Sequence, residues 1–220
     1  MSDILTADQI AMLKAVGSQP EMVKVFYLTG GTPLAAFYLH HRYSEDLDFF
    51  SETEVDIAAL NVFFAASKKT LGFSSIDYQT SMNRNLFFLD YKSGTLKMEF
   101  TYFPFPRIET GYHEYGMSID SRIDIAVNKL FAIYQRTKVR DYIDLYMLCR
   151  QGGYAIADLV KKARIKFDWH IDPIQLGTQF VKAQDAQDVP RMITPLVPEE
   201  WHSFFLEEAK KLKPEVIESS

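Results

Sequence analysis

One short stretch constrains the fold of this chain more than any other. Residues 23–29 form a β-rich run that stops at Gly30-Gly31, and Thr32-Pro33 directly afterwards is a helix start. Thr suits the N-cap and Pro the first helical position, because Pro has no N–H to lose there. A helix over residues 34–40 then leads into a second β-run, Asp46-Leu47-Asp48-Phe49-Phe50. Strand, glycine turn, helix and strand in immediate succession commit the first half to a mixed α/β arrangement.

The rest of the first half agrees. An apolar helical segment over residues 56–71 closes at Gly72, a left-handed C-cap candidate. Three β-runs follow, at residues 73–80, 85–91 and 95–103, with Ser93-Gly94 marking a hairpin between the last two. From Ser121 the periodicity becomes helical, over residues 122–135, 141–149, 155–167, 173–183 and 198–212. The expected fold class is therefore α/β in the α+β sense, a mixed-sheet half followed by a helical half. The Pro/Gly-containing stretch at residues 104–116 puts the boundary near 106–120, dividing the chain into residues 1–115 and 116–220. The tail after Pro214 is expected to fray.

Composition narrows the function. The chain has 220 residues, 47% of them hydrophobic, enough to bury a sizeable core. It shows neither a leader pattern nor an apolar run near the roughly 20 residues that span a bilayer, so a soluble cytoplasmic protein without a membrane partner is expected. Cys149 is the only cysteine, which excludes an internal disulfide and suits a small buried hydrophobe. A net charge of −5 argues against non-specific coating of nucleic acid but leaves room for a local basic groove.

The candidate chemistry begins at Asp46-Leu47-Asp48. On a strand, residues two apart share a face, so both carboxylates project together while Leu47 and Phe49 face the core. Such a pair suits magnesium, which takes oxygen ligands and completes its shell with water and substrate phosphates. Glu99, in Leu96-Lys97-Met98-Glu99-Phe100-Thr101, alternates away from Met98 and Phe100 and is the candidate third acid of a metal site. Gly30-Gly31-Thr32 suits a triphosphate, because glycine permits close backbone approach and a helix N-terminus offers N–H groups. Lys129, Arg136 and Arg140 would share one face if a single helix ran through them, and could then reach phosphate oxygens. The basic cluster Lys161-Lys162-x-Arg164-x-Lys166 could meet an RNA backbone, although a solvated helix face is its simpler reading.

The segments Gly30-Gly31-Thr32-x-Leu34 and His41-Arg42-x-Ser44-x-Asp46-Leu47-Asp48-Phe49 resemble the nucleotidyltransferase core of the AbiEii/AbiGii toxins of bacterial toxin–antitoxin and abortive-infection systems. A later block, Asp124-x-Ala126-x-x-Lys129-Leu130-x-Ala132 with Arg136 and Arg140-Asp141-x-x-Asp144-Leu145, is similar to that family's helical motifs. The resemblance implies a nucleotidyltransferase fold in the first half and a helical half that completes the substrate site. It also implies a magnesium–NTP site and a role for Lys129 and Asp144 in substrate binding or catalysis. The wider superfamily usually carries an Asp where Glu99 stands.

The resulting assignment gives Asp46, Asp48 and Glu99 to the metal and Gly30, Gly31, Thr32, Arg42, Ser44 and Lys129 to the nucleotide. Asp46, Asp48, Glu99, Lys129 and Asp144 form the catalytic set, with Asp144 ordering the substrate. Some relatives add nucleotides to the 3′ end of tRNA, so the expected partners are an NTP, a tRNA or other RNA acceptor, and a cognate antitoxin. A small-molecule or protein acceptor, or a nucleotide-binding module without turnover, are the competing readings. His40 and His41 have no partner at metal spacing and are read as structural, as is Asp141.

Overall fold

The computed structural model describes residues 4–212, so the tail beyond Pro214 lies outside the described residues. The chain divides into two compact units. The first comprises Met1–Tyr38 and Ser44–Ser121, and the second comprises Leu39–Tyr43 and Arg122–Ser220. Five residues between the glycine turn and the Asp-x-Asp strand thus belong to the helical unit.

The first unit opens with α1 (Ala7–Gly17), which starts on a capping box in which Thr6 and Gln9 each bond the other's backbone N–H. Next come α2 (Pro20–Val25), β1 (Tyr27–Thr29) and α3 (Gly31–Pro33), the last continuing with π-helical spacing over Leu34–Leu39. β2 (Leu47–Ser51), α4 (Ile57–Leu71), β3 (Ser75–Ser81), β4 (Arg84–Tyr91) and β5 (Gly94–Tyr102) follow, then a two-stranded hairpin of β6 (His113–Glu114) and β7 (Met117–Ser118). The sheet order is β1-β2-β5-β4-β3, with β2 and β5 parallel and the other neighbours antiparallel. A mixed α/β half followed by helices matches the expected fold class.

Two local readings change. Residues 23–25 close α2 instead of opening a strand, because Pro20 at the first helical position starts a turn that Lys24 and Val25 finish. The helix after the glycines begins at Gly31 with Gly30 as its N-cap, so Thr32 lies inside the first turn.

Strand alternation places Leu47, Phe49, Met98, Phe100, Phe87 and Leu89 on one face, all 0% exposed, where α1 and α4 cover them with Met12, Leu13, Val16, Leu60 and Phe64. Phe49 and Phe100 stack with ring centroids 4.8 Å apart, and Phe64 packs on Phe87 at 4.6 Å. Burial of such aromatic side chains on one face fixes the sheet register, and the register fixes which side chains face the other way.

The second unit contains α5 (Arg122–Gln135), α6 (Val139–Gly152), α7 (Ile156–Phe167), α8 (Pro173–Val181) and α9 (Pro198–Lys211). Tyr142, Phe180, Trp201 and Phe205 form its aromatic centre, with Tyr142 edge-on to Phe205 at 5.1 Å. Phe131 of α5 stacks on Phe167 of α7 at 4.0 Å. Cys149 is buried, and burial pushes its thiol up to about 12. Among the described residues, no helix is long and apolar enough to cross a membrane.

Candidate active site

In the first unit, Asp48 of β2 pairs in register with Thr29 of β1 on one side and with Glu99 of β5 on the other. The three therefore share the face opposite the aromatic core. Asp46 precedes the strand, and its side chain is 24% exposed. Its position depends on two residues outside the expected set. Gln9 donates from Nε2 to the carbonyls of Ser44 and Glu45, each at 3.1 Å, so the partner of Thr6 in the α1 capping box also fixes the approach to Asp46. Lys97 pairs with Asp46 Oδ2 at 2.9 Å.

The glycine turn abuts the strand acids. Gly30 adopts φ 81° and ψ −152°, a region open essentially to glycine alone. A Cβ at this position would lie 2.5 Å from Asp48 Oδ2, so the turn approaches the carboxylate closely enough to exclude any side chain. Gly31 and Thr32 are buried in the first helical turn. The Thr32 hydroxyl bonds that of Ser44 at 2.8 Å and donates to the Asp46 main-chain carbonyl. Thr32 and Ser44 thus tie the glycine turn to the residues just before the Asp-x-Asp strand.

Glu99 is 6% exposed and held on both oxygens. Arg84 of β4 donates from Nε to Oε1 at 2.7 Å and from Nη2 to Oε2 at 2.5 Å, and Thr101 donates to Oε1 at 2.8 Å. Burial alone would push the Glu99 carboxyl up, but the Arg84 and Thr101 hydrogen bonds hold it below its ordinary value. The bond to Glu99 raises the Arg84 guanidinium against the effect of burial, and the charges of Asp48 and Asp46 add to the rise.

The donors suit magnesium in part. Among the described residues no three acidic, His or Cys side chains gather at metal spacing. Asp46 and Asp48 supply two carboxylates on one short segment, which fits an ion that takes its remaining ligands from water and phosphate. Glu99 stands across the β2–β5 pairing with both oxygens bonded to protein.

The expected residues of the helical unit meet one another in its interior. Asp144 of α6 is 0% exposed. Arg42 donates to it twice, Nε to Oδ1 and Nη2 to Oδ2, each at 2.7 Å, while His41 Nε2 lies 2.8 Å from Oδ1 and Lys129 Nζ 2.7 Å from Oδ2. Lys129 also pairs with Asp141 at 2.7 Å, and Arg136 reaches Asp141 at 3.3 Å. Burial alone would push the Asp144 carboxyl up, but the charges and bonds of Arg42 and Lys129 hold it well below the carboxylate range. Burial lowers Lys129, and the charges of Asp141 and Asp144 outweigh that and raise it.

The face expected to carry Lys129, Arg136 and Arg140 is not continuous. α5 ends at Gln135 and α6 starts at Val139, so Arg136 lies between helices and Arg140 on the second of them. In the basic cluster of α7, Lys166 is buried against Asp124 at 2.7 Å, which removes it from any solvent-facing surface.

The sequence profile of the family described as "Nucleotidyl transferase AbiEii toxin, Type IV TA system" matches residues 12–214. An uncharacterized protein of Aquifex aeolicus is 31% identical over 189 residues, covering 84% of this chain and 87% of its own. A Helicobacter pylori structure described as a candidate nucleotidyltransferase superposes with a TM-score of 0.60 at 22% identity, covering 100% of this chain and 99% of that one. MenT4, a nucleotidyltransferase toxin of Mycobacterium tuberculosis, superposes with a TM-score of 0.54 at 15% identity over 93% of this chain and 82% of its own.

Proposed function

This chain belongs to the AbiEii nucleotidyl transferase toxin family of type IV toxin–antitoxin systems, and from that membership we propose that it transfers a nucleoside monophosphate from an NTP to an RNA hydroxyl, with the 3′ end of tRNA as acceptor. The observation that carries the reading is the approach of the Gly30 turn to Asp48, which sets a side-chain-free backbone against a strand acid. Such an arrangement suits phosphoryl transfer, since catalysis there is mostly positioning and charge neutralisation.

In this reading Asp46 and Asp48 hold magnesium, which when bound neutralises phosphate charge and makes a bound hydroxyl more acidic. Gly30 and Gly31 admit the triphosphate to the turn, and Thr32 and Ser44 keep that turn on the metal strand. The acceptor hydroxyl loses its proton to water, its oxygen forms a bond to the α-phosphorus, the bond from that phosphorus to the bridging oxygen breaks, and pyrophosphate leaves. Arg42, Lys129 and Asp144 serve as positioning residues, because Asp144 is closed to solvent and acts through the two cations that it holds. A cognate antitoxin protein is the regulatory partner that type IV membership implies.

The test is transfer of label from each of four α-labelled NTPs to purified tRNA, and in parallel to total protein and to small-molecule acceptors, with magnesium present or chelated. Magnesium-dependent label on tRNA is the expected result. Label on protein or on a small molecule would move the acceptor, and NTP binding with no product in any fraction would make the chain a binding module.

A further inference from the structure

Arg84 is the strongest functional feature that the assignment above leaves unused. It stands at the start of β4, paired in register with Thr101, and crosses to Glu99 on the same sheet face as Asp48. The Nε/Nη2 edge of its guanidinium is locked in a two-point fork on Glu99. The side chain remains 41% exposed although that of Glu99 beneath it is 8% exposed, and among the described residues the side-chain bonds of Arg84 to protein leave from Nε and Nη2. A guanidinium pinned on one edge and open to solvent on the other is pre-organised to bind a planar pair of anionic oxygens.

The structure assigns Arg84 as a phosphate-binding residue beside Asp46 and Asp48, and Glu99 as the residue that seats it, leaving the metal to the two aspartates. The inference rests on the nucleotidyltransferase reading of this face. Three observations favour it over direct metal binding by Glu99. Both Glu99 oxygens accept charge-assisted bonds, and a metal would have to displace the fork. Thr101 adds a third bond to Oε1 and fixes the carboxylate plane towards Arg84. A cation that presents an open edge beside strand acids also supplies what a transferring phosphoryl group requires, positive charge already in place before reaction.

The test uses two probes that need no turnover, Mn2+ alone followed by electron paramagnetic resonance, and Mg2+ with inorganic tripolyphosphate followed by calorimetry. Arg84→Met and Glu99→Gln are each expected to weaken tripolyphosphate binding at least tenfold while leaving Mn2+ affinity within twofold of wild type. Arg84→Lys should recover part of the loss, and Arg84→Met/Glu99→Gln should be no worse than Arg84→Met. If Arg84→Met fails to fold, the double variant, which strands no buried charge, is read in its place.

Weakening of Mn2+ binding by Glu99→Gln to the extent seen in Asp48→Asn would overturn the assignment and make Glu99 a metal ligand. Unchanged tripolyphosphate affinity in the Arg84 variants, or none in wild type, would also overturn it. A wild-type protein that binds both probes, loses tripolyphosphate with Arg84 and yet transfers no label sinks the transferase reading alone.

Discussion

Two acidic pairs close in sequence spacing, Asp46-x-Asp48 and Asp141-x-x-Asp144, occupy opposite environments. Asp46 and Asp48 lie on or beside a strand, partly exposed, with the Gly30 backbone against one carboxylate and Lys97 on the other. Asp141 and Asp144 lie inside the helical unit, at 1% and 0% exposure, and bind Lys129, Arg42, His41 and Arg136. A carboxylate enclosed by cations in the interior of a unit holds those cations in place, whereas a partly exposed one beside a glycine turn is accessible to a ligand. On the proposed function the same residue type would do different work in the two units, and the difference lies in what encloses it.

The largest effect that could break this comparison is on stability. Asp144→Ala leaves Arg42 and Lys129 buried without their shared counter-charge, which should cost about 3–5 kcal/mol in denaturant unfolding. A loss below about 1 kcal/mol would show that the helical cluster does not hold its unit together. The acid dependence is linked to it. Asp141 and Asp144 have folded values below the ordinary carboxylate value, so their contribution is complete above that value, about 3.9, and is lost as pH falls from there towards the folded values. Unfolding free energy should therefore fall more steeply below about pH 4 in wild type than in Asp144→Asn, as acid titration of both proteins will show.

A smaller effect is expected at the glycine turn. Gly30→Ala puts a Cβ in a region reserved for glycine and against Asp48, for about 1–3 kcal/mol of strain, and should reduce transfer by displacing that carboxylate. Thermal melts together with transfer rates would separate the two consequences. A variant with full activity and an unchanged melting temperature would show that the close approach is not needed.

The sequence carried the strand acids and the glycine turn because alternation and turn chemistry are local. Leu47 and Phe49 facing inward predict Asp48 facing outward, and the structure keeps that phase. Five of the later helices were legible from periodicity and Pro/Gly punctuation for the same reason. Residues whose roles depend on sheet register were not legible. Arg84 meets Glu99 only because β4 and β5 pair in a register set by Phe87, Met98 and Phe100, and Lys97 reaches Asp46 from a strand distant in sequence. Gln9 was hidden likewise, since its capping box is local but its bonds to Ser44 and Glu45 span 35 and 36 residues. The one signal available for Arg84 was an unexplained cation at the head of a β-run that pairs with the run bearing Glu99.

The division of labour between the two acid pairs is tested most directly by measuring transfer rate and unfolding free energy on the same two variants, Asp48→Asn and Asp144→Asn. Asp48→Asn is expected to abolish NMP transfer in a protein that stays folded, and Asp144→Asn to lose several kcal/mol of stability. Transfer that persists at the wild-type rate in a folded Asp48→Asn protein would contradict the account, because the strand acid would then not be where the chemistry takes place.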